Sequence, residues 1–384
     1  MKNMSLKVSR LLVGLLFIFS GLIKANDPLG FGYKLQEYFE VFHITFLNDF
    51  SVAIAILLCT LEIVLGALLL LGFYTKWVSW GLLLLIIFFT FLTFYSAFFK
   101  VVTSCGCFGD AIPLSPWQSF SKDLILLVLI LIIFRQRDQI KPLMANHKTQ
   151  SIFSGLILIF SLGFGIYTYN FLPILDFLPY KIGNNIPKLM ITPPGAPLDI
   201  YEITYTLKNR NTDETKKMTD KEYLKTGIWK DTNWEIVGEP INRLVKKGYE
   251  VKIKDLKIVD SQGIDYNKEI LENPYYNLVI VGYDLSKANA RGIGDLNAIA
   301  INAAENYNVR SVLLTSNSAQ DAATFSDENK LVMEVFYADG IPLKSMVRAN
   351  PGLLLLKNGV VVNKWHFHNL PSYDELARKY FVNN

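Results

Sequence analysis

Ser104-Cys105-Gly106-Cys107-Phe108-Gly109-Asp110 is a short polar loop caught between two long apolar runs, and it holds two of the three cysteines of this 384-residue chain. The run before it, Val78 to Phe99, is long enough to cross a bilayer, because about 20 apolar residues cover a hydrocarbon core of roughly 30 Å. Upstream lies another such run, Phe50 to Phe73, with Tyr74-Thr75-Lys76-Trp77 between the two. After the loop, Leu124 to Phe134 with its flanks gives a fourth span and Ile152 to Tyr169 a fifth. The first is Leu11 to Ile23, which follows a basic start carrying Lys2, Lys7 and Arg10. A secretory leader opens the same way, but Ile23-Lys24-Ala25 lacks the small-x-small cleavage pattern and further spans follow, so a retained transmembrane helix is expected.

In that first helix Arg10, Gly14, Phe17, Gly21 and Lys24 recur at helical spacing as one stripe, with small residues where a neighbouring helix can approach. The stripe is expected to face the bundle. The polar, aromatic linker from Asn26 to Asp49 contains Asp27-Pro28-Leu29-Gly30 and suits a turn and a helix at headgroup level, not a span. Basic residues then set the orientation. Lys2, Lys7 and Arg10, then Lys76, then Arg135, Arg137, Lys141 and Lys148 all fall on one side of a five-span arrangement, which the positive-inside rule makes cytoplasmic. The cysteine loop and the whole C-terminal half are expected on the opposite, oxidising side.

The chain is 51% hydrophobic, too apolar for a purely soluble enzyme and too polar for a purely membrane one. The formal net charge of +4 implies no nucleic-acid partner, and three cysteines do not make a disulfide-stapled scaffold. The expected division is residues 1–140 as a four-helix membrane domain, 141–174 as the fifth span, 175–198 as a Pro-rich tether without regular structure, 199–255 as a small β insertion, and 256–384 as a soluble α/β domain. In the last, Leu256 to Asp260 reads as a strand and Asn277 to Tyr283 as a buried strand. Leu296, Ile299, Ala300, Ala303, Ala304 and Tyr307 form one helix face. Ser311 to Thr315 is another strand, Ala319 to Lys330 an acidic helix, and Pro351 to Val362 a hairpin around Asn358-Gly359. A last helix, Ser372 to Phe381, starts at a Ser N-cap with Glu375 in the capping-box position.

Cys105 and Cys107 are the first candidate reactive pair. Closed as an intraloop disulfide they form a small strained ring, an oxidant of other thiols; the alternative is a static disulfide or a packed thiol pair that shapes the loop. Two thiolates without a nearby His fall short of four zinc ligands, so no metal site is expected. Cys59 lies about 13 Å deep in the second span at 1.5 Å per residue, either a small buried hydrophobe or a resolving thiol. Glu62 is costly in hydrocarbon, at least ~2.5 kcal/mol on insertion scales. It pairs with Lys24 or Arg10, sits protonated, fixes helix register as an ion pair, or takes protons released when thiols are oxidised by a membrane quinone. Lys122 and Asp123 are expected to snorkel or cap the fourth span. Trp365-His366-Phe367-His368 places two His on one strand face, read as ordinary surface histidines.

Two resemblances follow from these residues. Arg10-x3-Gly14, Ser20-Gly21-Leu22-x-Lys24, Glu62-x3-Gly66 with Gly72, and Cys105-Gly-Cys-Phe-Gly109 before a span resemble the DoxX/MauE family of four-helix membrane proteins over about the first 140 residues, the cysteine loop being most like the MauE branch. That resemblance implies sulfur or disulfide chemistry at a membrane. Leu256 to Ile264 and Asn350-Pro351 to Gly359 resemble the thioredoxin-like fold of TlpA-type proteins, in which the hairpin begins at a cis-proline. This chain departs from that pattern: Asp284-Leu-Ser-Lys-Ala-Asn-Ala290 follows the buried strand where thioredoxins carry Cys-x-x-Cys, so the domain cannot exchange dithiols alone. Asn350, Pro351, Asp284 and Ser286 mark the edge where such folds hold extended peptides, and are the candidate partner-binding residues. Chains of this two-part design look like those of Bacteroidetes, which implies the inner membrane and the periplasm. The expected function is periplasm-facing thiol/disulfide redox or redox-linked assembly with an envelope protein as partner and a membrane quinone as the candidate cofactor; the alternative is a non-catalytic scaffold or accessory subunit of an envelope complex.

Overall fold

The structure is a computed structural model that describes residues 2–102, 106 and 108–382. Helices α1 (Lys2–Asn26), α2 (Pro28–Val41), α3 (Ser51–Leu71), α4 (Thr75–Phe99), α5 (Pro116–Gln136) and α6 (His147–Asn170) make up the N-terminal part. Five helical segments, all but α2, are long and apolar enough to cross a membrane. Local signals set their ends. Asp27 caps α2 by accepting from the Gly30 amide, with Pro28 at the first turn, where its missing N–H costs nothing. Ser115 and Gln118 form a capping box ahead of α5, which is why that helix starts well before its apolar run. Gly72 ends α3 in the left-handed conformation, at φ 73°.

Helices α1 and α3 pack on small residues. A Cβ on Gly66 would stand 2.8 Å from the Gly14 carbonyl oxygen, and one on Gly21 3.0 Å from that of Cys59. Close backbone approach of this kind gives van der Waals attraction where lipid offers no hydrophobic drive. The stripe expected to face the bundle does so: Phe17 and Lys24 are buried, and Arg10 reaches the end of α3, donating to the carbonyls of Leu69 (2.8 Å) and Leu70 (2.6 Å). Arg10 thereby satisfies helix-terminal carbonyls and leaves Glu62 to another partner.

Residues Met1–Asn184 and Lys257–Asn384 form one compact unit, and Asn185–Leu256 a second. The second holds α7 (Ile186–Met190), β1 (Ile200–Asn209), β2 (Thr215–Thr219), α8 (Asp220–Thr226), β3 (Trp234–Ile236) and β4 (Ile241–Lys246). Strand β1 is its centre, paired antiparallel with β2, β3 and β4. The expected tether without regular structure therefore contains a helix. Pro187 stands at its first turn and Asn185 caps it by accepting from the Lys188 amide at 3.0 Å.

The C-terminal part holds α9 (Asn267–Leu271), β5 (Tyr276–Val281), α10 (Ala290–Tyr307), β6 (Arg310–Thr315), α11 (Ala319–Asn329), β7 (Glu334–Tyr337), α12 (Gly340–Met346), β8 (Gly352–Lys357), β9 (Val360–His366) and α13 (Tyr373–Leu376). The sheet runs β7-β6-β5-β8-β9. Strands β5, β6 and β7 are parallel, while β8 is antiparallel to both β5 and β9. Leu278, Ile280, Leu313, Leu353 and Leu355 pack with the inner face of α10, and the Asn350–Pro351 peptide ahead of β8 is cis.

Three expectations need correction here. Leu256 to Asp260 is not a strand, and Val259 makes only isolated bridges, to Asp265 and Tyr337. Side chains divert its neighbours' amides: Asn267 accepts from Ile258, and Asp260 accepts from Gln262 and Ile264. His366 and His368 do not share a strand face, because β9 ends at His366 and a 3-10 turn, Phe367–Asn369, follows. His366 is buried, not a surface residue. Finally, the last helix keeps its Ser372/Glu375 capping box but widens into a π turn over Ala377–Phe381.

Candidate functional site

Inside the bundle, Lys24 on α1 and Glu62 on α3 form a buried ion pair, with side chains 3% and 2% exposed. The Lys24 ammonium also lies over the rings of Phe89 (4.7 Å) and Phe31 (5.1 Å). Glu62 Oε2 is buried with no hydrogen-bond partner among the described residues. Asp123 faces inward too, correcting the expected surface or capping role. Its Oδ2 accepts from the Thr93 hydroxyl at 3.0 Å and its Oδ1 meets Lys122 Nζ at 2.7 Å. The signal was the spacing of Ser119, Asp123, Leu126, Ile130 and Ile133, the buried stripe of α5.

Lys24, Glu62, Lys122 and Asp123 line one cavity of about 40 Å³, walled elsewhere by Phe17, Phe89 and other apolar side chains. Gly106 and Phe108 also line it, and Gly106 stands between Cys105 and Cys107 in the sequence. At about 10–15 Å³ per water the cavity holds a few waters.

Cys105 and Cys107 lie outside the described residues. Cys59 is a free, fully buried thiol packed among Ala25, Phe31, Leu35, Ala55 and Ile63.

Above the bundle, Arg348 at the end of α12 reaches the start of α2. Its Nε lies 2.8 and 3.0 Å from the two Asp27 oxygens, its Nη1 donates to the Lys344 carbonyl, and its Nη2 lies 3.4 Å from Asp110. The guanidinium sits over the Tyr33 ring at 5.6 Å. A Cβ on Gly30 would stand 2.8 Å from Arg348 Nη2, so a side chain there would push the guanidinium from this position. Burial opposes the charge of Arg348, but Asp27, Tyr33 and Asp110 outweigh it and hold its pKa above the usual value. Burial pushes Asp110 up, against the pull of Arg348. Tyr33 donates to the Tyr283 hydroxyl at 3.0 Å, and burial raises both phenols. A second buried pair, Lys364 with Asp176, lies in the same compact unit. None of these pairings has a local sequence signal; Asp27 and Arg348 are 321 residues apart.

Of the expected partner-binding residues, Asp284 and Asn350 come together on a groove of about 1080 Å³ that Tyr33, Lys287 and His366 also line. Asp284 accepts from the Ser286 amide (3.1 Å) and hydroxyl (2.6 Å), and its carbonyl accepts from the Asn350 side chain at 2.7 Å. The Asn350 carbonyl is taken by the Asn289 amide at 3.1 Å. His366 Nδ1 accepts from the His368 amide at 3.1 Å, which requires the neutral ring. Burial, then His368, lowers its pKa to about 4.

The fold and this interior define a polytopic membrane protein with a buried, charged cavity in its bundle, joined to an α/β domain. The family model described as Methylamine utilisation protein MauE matches residues 2–135, and that stretch is a MauE-family membrane domain. No curated protein and no solved structure matches the chain. Among the described residues no group of His, Cys, Asp and Glu is arranged to hold a metal ion.

Proposed function

We propose that the protein carries out thiol–disulfide exchange at the periplasmic face of the inner membrane, with Cys105 and Cys107 as the reacting pair. The observation that carries this reading is the position of the loop's neighbours. Gly106 lines the charged cavity below, while Asp110 contacts Arg348 of the C-terminal part above. A partner dithiol would attack the Cys105–Cys107 disulfide through a mixed disulfide. The partner ends oxidised, the loop ends as two thiols, and the two protons pass from partner to loop, so the exchange balances without another oxidant. Glu62, with an oxygen that has no hydrogen-bond partner among the described residues, is the candidate proton acceptor for an attacking thiol. Cys59, packed among apolar side chains, takes no part.

The C-terminal part reads as thioredoxin-like. Its support is the strand order β6-β5-β8-β9, with β8 antiparallel to β5 and preceded by a cis-proline. Without Cys-x-x-Cys its role is to present the partner over the Asp284–Asn350 groove. A second reading, an accessory subunit in methylamine utilisation or another envelope assembly, is favoured by the Asn350 carbonyl being bonded within the chain. Orientation with the loop outside rests on the basic residues of the opposite loops.

Single variants Cys105→Ser and Cys107→Ser test the exchange reading on non-reducing gels after acid quench. It expects a reductant-sensitive adduct with another protein in at least one variant and none in the double variant. Absence of any adduct from both single variants favours the accessory reading.

A further inference from the structure

Glu62 stands near the middle of α3, and its Oε2 is buried without a hydrogen-bond partner among the described residues. A carboxylate oxygen left bare in an apolar interior is costly, so it calls for an occupant in the cavity that Glu62 lines. The charges on that cavity's wall cancel. Lys24 pairs with Glu62 and Lys122 with Asp123, so an added ion would meet no net opposite charge, whereas a neutral dipole can bridge both pairs. Water is such a dipole, and the cavity has room for a few molecules. The open question is from which side water reaches it.

The two ends of the cavity differ. Lys24, Phe31 and Gly106 line it and also line a second cavity of about 450 Å³, which extends to Asp27, Asp110 and Arg348 beneath the C-terminal part. Between the two cavities stand one lysine stem, one aromatic ring and a residue without a side chain. The opposite end is sealed by packing. Phe17, Ile86 and Leu126 belong both to the cavity wall and to an apolar cluster that continues through Val13 and Ile130 to Phe73, beside the turn between α3 and α4. Val13, Ile130 and Phe73 are fully buried, and water finds no hydrogen-bond partner among these side chains.

We propose that the two cavities are joined and form a one-sided aqueous inlet, through which Glu62 exchanges water and protons only with the side that carries the C-terminal part. Lys24 stands at the neck, on both cavities. Beyond it, bound water bridges Glu62 on α3 to Lys122 and Asp123 on α5, with the Tyr38 hydroxyl of α2 and the Thr93 hydroxyl of α4 already bonded to Ser96 and Asp123. The inlet ends there. It stands whether or not the cysteine loop exchanges disulfides.

Two measurements test it. Radiolytic hydroxyl-radical footprinting of the full chain in lipid nanodiscs modifies side chains that touch bound water. Phe89, on the cavity wall, should be modified about tenfold or more faster than Phe73, in the sealed cluster. Equal rates overturn the proposal. Sidedness is read in sealed proteoliposomes with Ser20→Cys, a one-atom change on the cavity wall, in a chain also carrying Cys59→Ala, Cys105→Ser and Cys107→Ser. Silver ion, about the size of water, is added outside, and its capture is read as loss of later maleimide labelling in denaturant. Protease cleavage of the C-terminal part sorts the two orientations. The thiol should be captured only where the C-terminal part faces the silver, and Val13→Cys in the same background should escape from both sides. Capture of the Ser20→Cys thiol from the opposite side overturns the seal, and capture from neither side overturns the connection between the cavities. Footprinting needs no substitution, so the proposal stays falsifiable if either cysteine variant fails to fold.

Discussion

Replacing Arg348 by Met removes the cation that joins the C-terminal part to α2. Truncating one partner of a buried ion pair costs about 3–5 kcal/mol, mostly because the other charge is left behind. Asp27 keeps the Gly30 amide at 2.9 Å and is 19% exposed, so water recovers part of the loss and the expected cost is near the lower end, about 3 kcal/mol. At about 1.4 kcal/mol per decade, local opening at the start of α2 becomes roughly 100-fold more frequent. Hydrogen-exchange mass spectrometry reads this directly, on peptides covering Gly30 to Tyr33 and Lys344 to Asn350. Arg348→Lys should recover only part of the protection, because an ammonium cannot reproduce the fork that meets Asp27 and the Lys344 carbonyl together. In the double variant with Asp27→Asn the two effects should be far from additive. Exchange within threefold of wild type in Arg348→Met would refute the reasoning.

Lys24→Met, which strands Glu62, should lower the unfolding temperature of the purified protein sharply, by the equivalent of about 3–5 kcal/mol; Lys24→Met with Glu62→Gln should restore much of it. Gly66→Ala pushes a methyl against the Gly14 carbonyl and Ile18 backbone and should cost about 1–3 kcal/mol in the same assay. His366 is held neutral in the fold, with a pKa of about 4 against 6.5 for the free side chain. Its contribution is therefore complete above pH 6.5 and is lost as pH falls towards 4, at most about 3 kcal/mol. Melts of wild type and His366→Gln between pH 7 and 4 should converge on acidification.

Segment length and helical spacing made the membrane part legible. The five helices long and apolar enough to cross a membrane, the inward stripe of α1 and the burial of Glu62 follow from apolar runs and from the cost of a carboxylate in hydrocarbon. Asp123 was open to the same spacing argument, but it stands near the start of an apolar run, where capping is the usual fate of an acid. The Arg348–Asp27 contact belongs to a different category. It joins residues 321 apart through the packing of two parts of the chain, and such a pair leaves no periodicity. Alternation misled at Leu256 to Asp260 because it registers which way side chains point and not where amides find acceptors. Asp260 and Asn267 supply those acceptors locally, and the strand does not form. At His366 the alternation held until the chain turned into a 3-10 segment, and burial followed.

Mass-tag alkylation of thiols in acid-quenched growing cells tests the central claim most directly, with Cys59, buried and unreactive until denaturation, as internal reference. Compared across wild type, Cys105→Ser, Cys107→Ser and Cys59→Ser, thiol exchange predicts that Cys105 and Cys107 exist partly reduced and shift towards the disulfide when an oxidant is supplied. A pair that stays fully oxidised under every condition contradicts it.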